Sequence, residues 1–134
     1  MKSILLIEPD YLLAKIYRQS LKQAGFRVSH ATNAQMAISL ADSLSPDLVI
    51  LELQLVEHSG IEFLYEFRSY PEWQNVPVII NSQVPPGEFS LSWPILKDDL
   101  AVSVYLYKPS TSLSLLIRRV NDHLAISVGE TASN

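Results

Sequence analysis

The chain has 134 residues, 48% hydrophobic, with a formal charge of −4 and ten lysines and arginines. That length and apolar content fit one domain around one core, and they exclude a disordered chain. No basic run exceeds Arg118–Arg119, a poor footprint for nucleic acid. The absence of cysteine excludes disulfides, thiolate catalysis and cysteine-bound zinc, and it fits a reducing cytoplasm.

The opening "MKSILLIEPD" holds four consecutive apolar residues before Glu8, Pro9 and Asp10. This is too short for a signal peptide, and no later stretch is long enough for a membrane span. The chain therefore reads as soluble and cytoplasmic. Residues 3–7 are expected as a buried strand ended by Pro9. From Asp10, "DYLLAKIYRQSLKQAG" has helical spacing at Leu13, Ile16, Tyr17, Leu21 and Ala24, with Asp10 as N-cap and Gly25 as stop. "FRVSH", residues 26–30, alternates as a second strand. "TNAQMAISLADSL" opens at Thr32 or Asn33 and puts Ala37, Leu40, Ala41 and Leu44 on one helical face.

"DLVILELQL", residues 47–55, is apolar on both faces, as a central parallel strand should be, yet it carries Glu52 among leucines. An unpaired carboxylate there is costly, so it needs a partner or water. Gly60 precedes a short helix, "IEFLYEFRSY". "VPVIINS", residues 76–82, is a fourth strand. The prolines and glycine of "QVPPGEFSLSWPILKDDLA" leave room only for a short helix starting near Trp93 or Pro94. "VSVYLY" is a fifth strand, and "STSLSLLIRRVNDHL" a last helix facing inward through Leu113, Leu116, Ile117, Val120 and Leu124. Residues 1–124 are expected to form the domain and 125–134 a disordered C-terminal tail.

Alternation of this kind implies an α/β fold: a doubly wound, five-stranded parallel sheet with right-handed crossovers. Reacting groups in such sheets gather beyond the carboxyl ends of the strands. At those ends stand Glu8 and Asp10, Glu52, Ser82 and Lys108. His30, His58 and His123 share no metal-ligand spacing. The glycines at 25, 60, 87 and 129 form no phosphate-cradling loop, and no nucleophile–base pair points to a hydrolase.

"PDLVILEL…GIEFL", "VPVIINS" and "VYLYKP", in that order, resemble the third strand, fourth strand and fifth strand of the receiver domain of two-component response regulators. The resemblance covers about residues 3–124 and implies the flavodoxin-like strand order 2-1-3-4-5. In that family an aspartate ending the third strand accepts a phosphoryl group from a histidine kinase. An acidic pair after the first strand helps to hold Mg²⁺, while a hydroxyl and a lysine bind the phosphoryl oxygens. Here Glu8 matches the first of the paired acids, Ser82 the hydroxyl, Lys108 the lysine and Tyr105 the switch aromatic. Pro109 follows the lysine, where the family commonly has a cis peptide. Pro9 takes the second acid's place and Glu52 the acceptor's. The family's usual Gly-Ala before the fifth strand is absent, and the region of its fourth helix is about four residues longer.

Proline offers no side-chain ligand, and Mg²⁺ demands near-octahedral oxygen geometry, so any metal at Glu8 and Glu52 is expected to be weak. Glu52 carries its carboxylate roughly 1.5 Å further than aspartate would. A misplacement near 1 Å can cost about 10²-fold in group transfer. The expectation is a degenerate receiver, not an enzyme and without a required cofactor. Its Glu52 pairs with Lys108 and partly imitates a phosphorylated aspartate, with about one charge in place of about two. The alternatives are a working phosphorelay receiver with altered acids and, more remotely, a small doubly wound enzyme using the acidic edge. The resemblance implies a signalling partner: a histidine kinase, an output protein or a second copy, with neither nucleic acid nor membrane. The segment from Phe89 to Leu100, with Leu91, and the last helix offer Trp93, Ile95, Leu96 and Arg118 as interface candidates.

Overall fold

The computed structural model describes residues 1–89 and 93–133, with side chains described except at 89 and 125–133. Five strands form one parallel sheet: β1 (Ser3–Ile7), β2 (Arg27–Ala31), β3 (Leu48–Leu51), β4 (Val78–Ser82) and β5 (Val102–Tyr107), in the order β2-β1-β3-β4-β5. Helices α1 (Tyr11–Gln23), α2 (Ala34–Leu44), α3 (Gly60–Ser69) and α4 (Leu113–Ser133) cover its faces. The alternation of each strand divides the core in two. Leu5, Ile7, Val49, Leu51, Val78 and Ile80 pack with α2 and α3. Ile4, Leu6, Leu48, Ile50 and Ile79 pack with α1 and α4. The doubly wound fold and its strand order are those expected.

Local chemistry sets the helix starts. The Asp10 carboxylate accepts the N–H groups of Leu12 and Leu13, Asn33 caps α2, and Ser59 caps α3. Gly25 follows α1 at φ +98°, the left-handed turn that releases the chain into β2. Gly60 is required for space: a Cβ there would meet Leu53 Cα at 2.8 Å and the Glu52 carbonyl at 3.0 Å. The backbone around Glu52 is thus pressed directly against the start of α3.

Several expectations are corrected. Ile16 is 48% exposed, because α1 buries the line Ala14, Tyr17 and Leu21, from which Ile16 is turned away. Leu44, at the last position of α2, is likewise exposed. Between β4 and β5 the chain forms a 3₁₀ turn (Pro86–Phe89) and a π-helical turn (Ile95–Asp99). The π turn points Leu96 into the core beside Leu100 and Val102. Leu96, offered by the sequence as an interface candidate, is buried. Trp93 is half-buried, edge-on to Tyr105 at 6.4 Å, while Ile95 and Arg118 are exposed. Leu91 lies outside the described residues, as does the side chain of Phe89. Helix α4 runs past Leu124 to Ser133. No proline interrupts that stretch, and a single glycine costs a helix only about 1 kcal/mol. There is no cis peptide bond among the described residues, Lys108–Pro109 included.

Candidate functional site

Parallel strands all deliver their carboxyl ends to one edge, and the register sets what meets there. Ile7 lies beside Ala31 and Leu51, Leu51 beside Ile80, and Ser82 beside Tyr107. The next residues outward are therefore neighbours. Glu8 and Glu52 remain on the sheet's hydrogen-bond ladder, through Glu8 N–H to the Ala31 carbonyl and Glu52 N–H to the Ile7 carbonyl, each at 3.0 Å.

The four matched polar residues converge and are almost sealed. Glu8 is 2% exposed, Glu52 3% and Ser82 0%. Lys108 Nζ donates to Glu52 Oε1 at 2.6 Å and to Glu8 Oε1 at 2.7 Å, so one ammonium bridges two carboxylates. The ion pair expected between Glu52 and Lys108 is present. Ser82 Oγ donates to Glu52 Oε2. Two backbone groups complete the shell: Gln54 N–H donates to Oε2 at 3.0 Å and Gln83 N–H to Oε1 at 3.1 Å. Each Glu52 oxygen thus accepts two hydrogen bonds, the capacity of an ionised carboxylate.

These contacts decide the charge state. Burial alone would raise the Glu52 carboxyl. The hydrogen bonds from Lys108, Ser82 and Gln54 and the Lys108 charge outweigh it, holding the group below its ordinary value of 4.5. Burial would likewise lower Lys108, but hydrogen bonds and charge from Glu52 and Glu8 prevail and raise it. Both groups are held ionised at neutral pH. Tyr105 donates to the Val84 carbonyl at 2.6 Å, and Val84 N–H donates to Ser82 Oγ at 3.1 Å. Burial, and the nearby Glu52 and Glu88 charges, push the Tyr105 phenol up to about 12 against an opposing hydrogen bond with Ser82. Hydrogen bonds therefore run from Lys108 through Glu52 and Ser82 to Val84 and Tyr105.

The donor set does not fit a resident Mg²⁺. Pro9 supplies no side-chain ligand, the Asp10 carboxylate caps α1 through Oδ1, and the carboxylates of Glu8 and Glu52 already share the Lys108 ammonium. Among the described residues, no group of three His, Cys, Asp or Glu is placed to hold a metal ion. Sequence reasoning found the five side chains of this cluster but not the Gln54 and Gln83 amides. Backbone donors leave no mark on residue identity; the only signal was their closeness in sequence to Glu52 and Ser82.

A parallel sheet in this order, with acids, a hydroxyl and a lysine at its carboxyl edge, defines a doubly wound, flavodoxin-like fold. The chain belongs to the response regulator receiver domain family, whose family model matches residues 4–88. It is 35% identical over 82 residues to the KDP operon transcriptional regulatory protein KdpE of Escherichia coli, covering 61% of this chain and 35% of that protein. It is 31% identical over 78 residues to the polar-differentiation response regulator DivK of Brucella anthropi, covering 58% of this chain and 63% of that protein. The chain's match thus spans less than two thirds of either relative. In three dimensions it is similar to a CheY-like receiver domain protein from Methanospirillum hungatei, with a TM-score of 0.83 at 18% identity over 97% of this chain and 98% of the other. A LuxR-family DNA-binding response regulator from Staphylococcus aureus gives 0.76 at 26% identity, over 92% and 98%. The chain is therefore a response regulator receiver domain of two-component signalling. Among the described residues, no helix is long and apolar enough to cross a membrane.

Proposed function

We propose that this receiver domain signals without aspartyl-type phosphorylation, in the cytoplasm, by holding one standing conformation that a protein partner reads. That partner is a histidine kinase, an output protein or a second copy. The observation that carries this reading is the saturation of Glu52. The lysine and hydroxyl that family resemblance assigns to phosphoryl oxygens are bonded to the Glu52 carboxylate itself. A carboxylate with four donors is a poor nucleophile, since attack on phosphorus must first strip hydrogen bonds from a buried anion. Glu52 thereby stands in for both acceptor and phosphoryl group, and the chain from Ser82 through Val84 to Tyr105 is held closed without a phosphorylation event.

The test is intact-mass analysis after incubation with a small phosphodonor and Mg²⁺. Unchanged mass is expected, together with amide shifts at Glu8 and Glu52 that do not move as low-millimolar Mg²⁺ is added. A mono-phosphorylated species would overturn the reading in favour of a working phosphorelay receiver with altered acids.

A further inference from the structure

Away from the Glu52 cluster, on opposite faces of the sheet, lie two surfaces of opposite charge, each with apolar side chains left in solvent. The first is the outer side of α1. Its sequence, YLLAKIYRQSLKQ, holds Lys15, Arg18 and Lys22 and no acid, in a chain whose net charge is −4. Alongside that basic line stand Tyr11 at 73%, Leu12 at 76% and Ile16 at 48% exposure. Leu12 and Ile16, four apart, form one ridge; Lys15, Arg18 and Lys22 form the ridge beside it.

The second surface is the groove between α2 and α3. Two cavities of about 300 Å³ and about 420 Å³ meet at Gln35 and run along it. Their walls carry Asp42, Glu62 and Glu66, their floor Phe63 and Trp73, and no lysine or arginine lines either one. His58, hydrogen-bonded to Glu62 at 3.0 Å, is the one basic group along their lining. Tyr70, 39% exposed just past the end of α3, lines the groove as well.

We propose that the α2–α3 groove is a docking site for the α1 face of a second copy of this chain. Charge complementarity selects this occupant: a basic ridge beside an apolar one meets an acidic groove with an apolar floor. The contact is heterologous. Because α1 packs on one face of the sheet and α2 and α3 on the other, two copies cannot exchange both contacts at once. Association therefore continues beyond a pair. The proposal does not depend on the phosphorylation state of the Glu52 site.

The experiment is sedimentation velocity and light scattering on the full chain over a rising concentration series, at low and high salt. Expected are species growing past twice the 15.0 kDa monomer and suppressed by salt. Lys15→Glu/Lys22→Glu and, separately, Asp42→Lys/Glu66→Lys should each remain monomeric. An equimolar mixture of the two should associate again, since each reversed face then meets its reversed complement. All four positions are exposed, so folding is expected to persist, checked by circular dichroism. Leu12→Asn, which changes no charge, should weaken association as well. A wild-type chain that stays monomeric throughout, association that stops at two copies or survives either reversal, or a mixture that stays monomeric would each overturn the proposal.

Discussion

Glu52 illustrates how one residue can be both buried and charged without destabilising its surroundings. Removing a carboxylate from water is costly, and the cost is offset here because each oxygen finds two donors and the countercharge lies at 2.6 Å. The pH dependence follows in sign. Glu52 is held below 4.5 in the folded state, so its contribution is full above that value and is lost as pH falls through the folded value. Lys108 is raised above 10.5, so its contribution is full below 10.5 and is lost as pH climbs through the folded value. Tyr105, raised from 10.0 to about 12, adds to the same alkaline loss. Urea midpoints should therefore be flat through neutrality and fall on the acid side below about 4.5. Glu52→Gln should lower the neutral plateau by about 3–5 kcal/mol, because it leaves the buried ammonium with one carboxylate fewer. It should also flatten the acid limb, since an amide does not titrate there. An acid limb unchanged in Glu52→Gln would mean that other carboxylates set it.

At the scale of elements, Arg68 on α3 holds the end of the connection from β4 to β5. Its guanidinium donates to the carbonyls of Trp73 at 2.6 Å, Leu100 at 2.8 Å and Ala101 at 3.2 Å. Ala101 sits at φ +53°, a left-handed conformation that costs a residue bearing a Cβ about 1–2 kcal/mol. The arginine clamp fixes the turn that leads into β5 and hence the position of Lys108. Ala101→Gly should then stabilise the fold, by up to about 1 kcal/mol after the entropy of the more flexible unfolded chain is counted. Gly60→Ala should do the opposite, because its Cβ would strike backbone that cannot move without displacing Glu52. Denaturation midpoints of the two variants, shifting in opposite directions, check both. Neither effect was visible in the sequence, since φ at 101 and the Arg68 contacts arise from tertiary placement. What was legible at this scale was the pattern of strand-like and helical runs, the inward line of α4 and the cap at Asp10, while the α2 cap was left between Thr32 and Asn33. The exposure of Ile16 and the burial of Leu96 were not, because a rotation of less than one helical turn, or a π turn in place of an α turn, reverses which side chain faces in.

For the molecule as a whole, the sheet and its edge are separable. The strand order is shared with a receiver domain of 18% identity, and it brings Glu8, Glu52, Ser82 and Lys108 to one edge of the sheet. The strand ends could be read from the sequence for that reason, whereas the saturation of Glu52 could not, since half of its donors are backbone. If the proposed loss of phosphorylation rests on two positions, changing them to the family's acids should bring phosphorylation in. Pro9→Asp would add a carboxylate beside Glu8 without disturbing Asp10, which stays engaged as the α1 cap. Glu52→Asp would draw the acceptor back by roughly 1.5 Å, away from Lys108 and Ser82, freeing both for phosphoryl oxygens. The double variant should show Mg²⁺-dependent amide shifts at residues 8–10 and 52 and gain a mono-phosphorylated species with a small phosphodonor, while the wild type gains neither. Each single variant should gain little, because the acceptor and the metal ligands act on one transition state and neither suffices alone. Failure of the double variant, with its fold intact by circular dichroism, would place the block elsewhere. The connection between β4 and β5, which sets where Lys108 stands, would then be the element to exchange next.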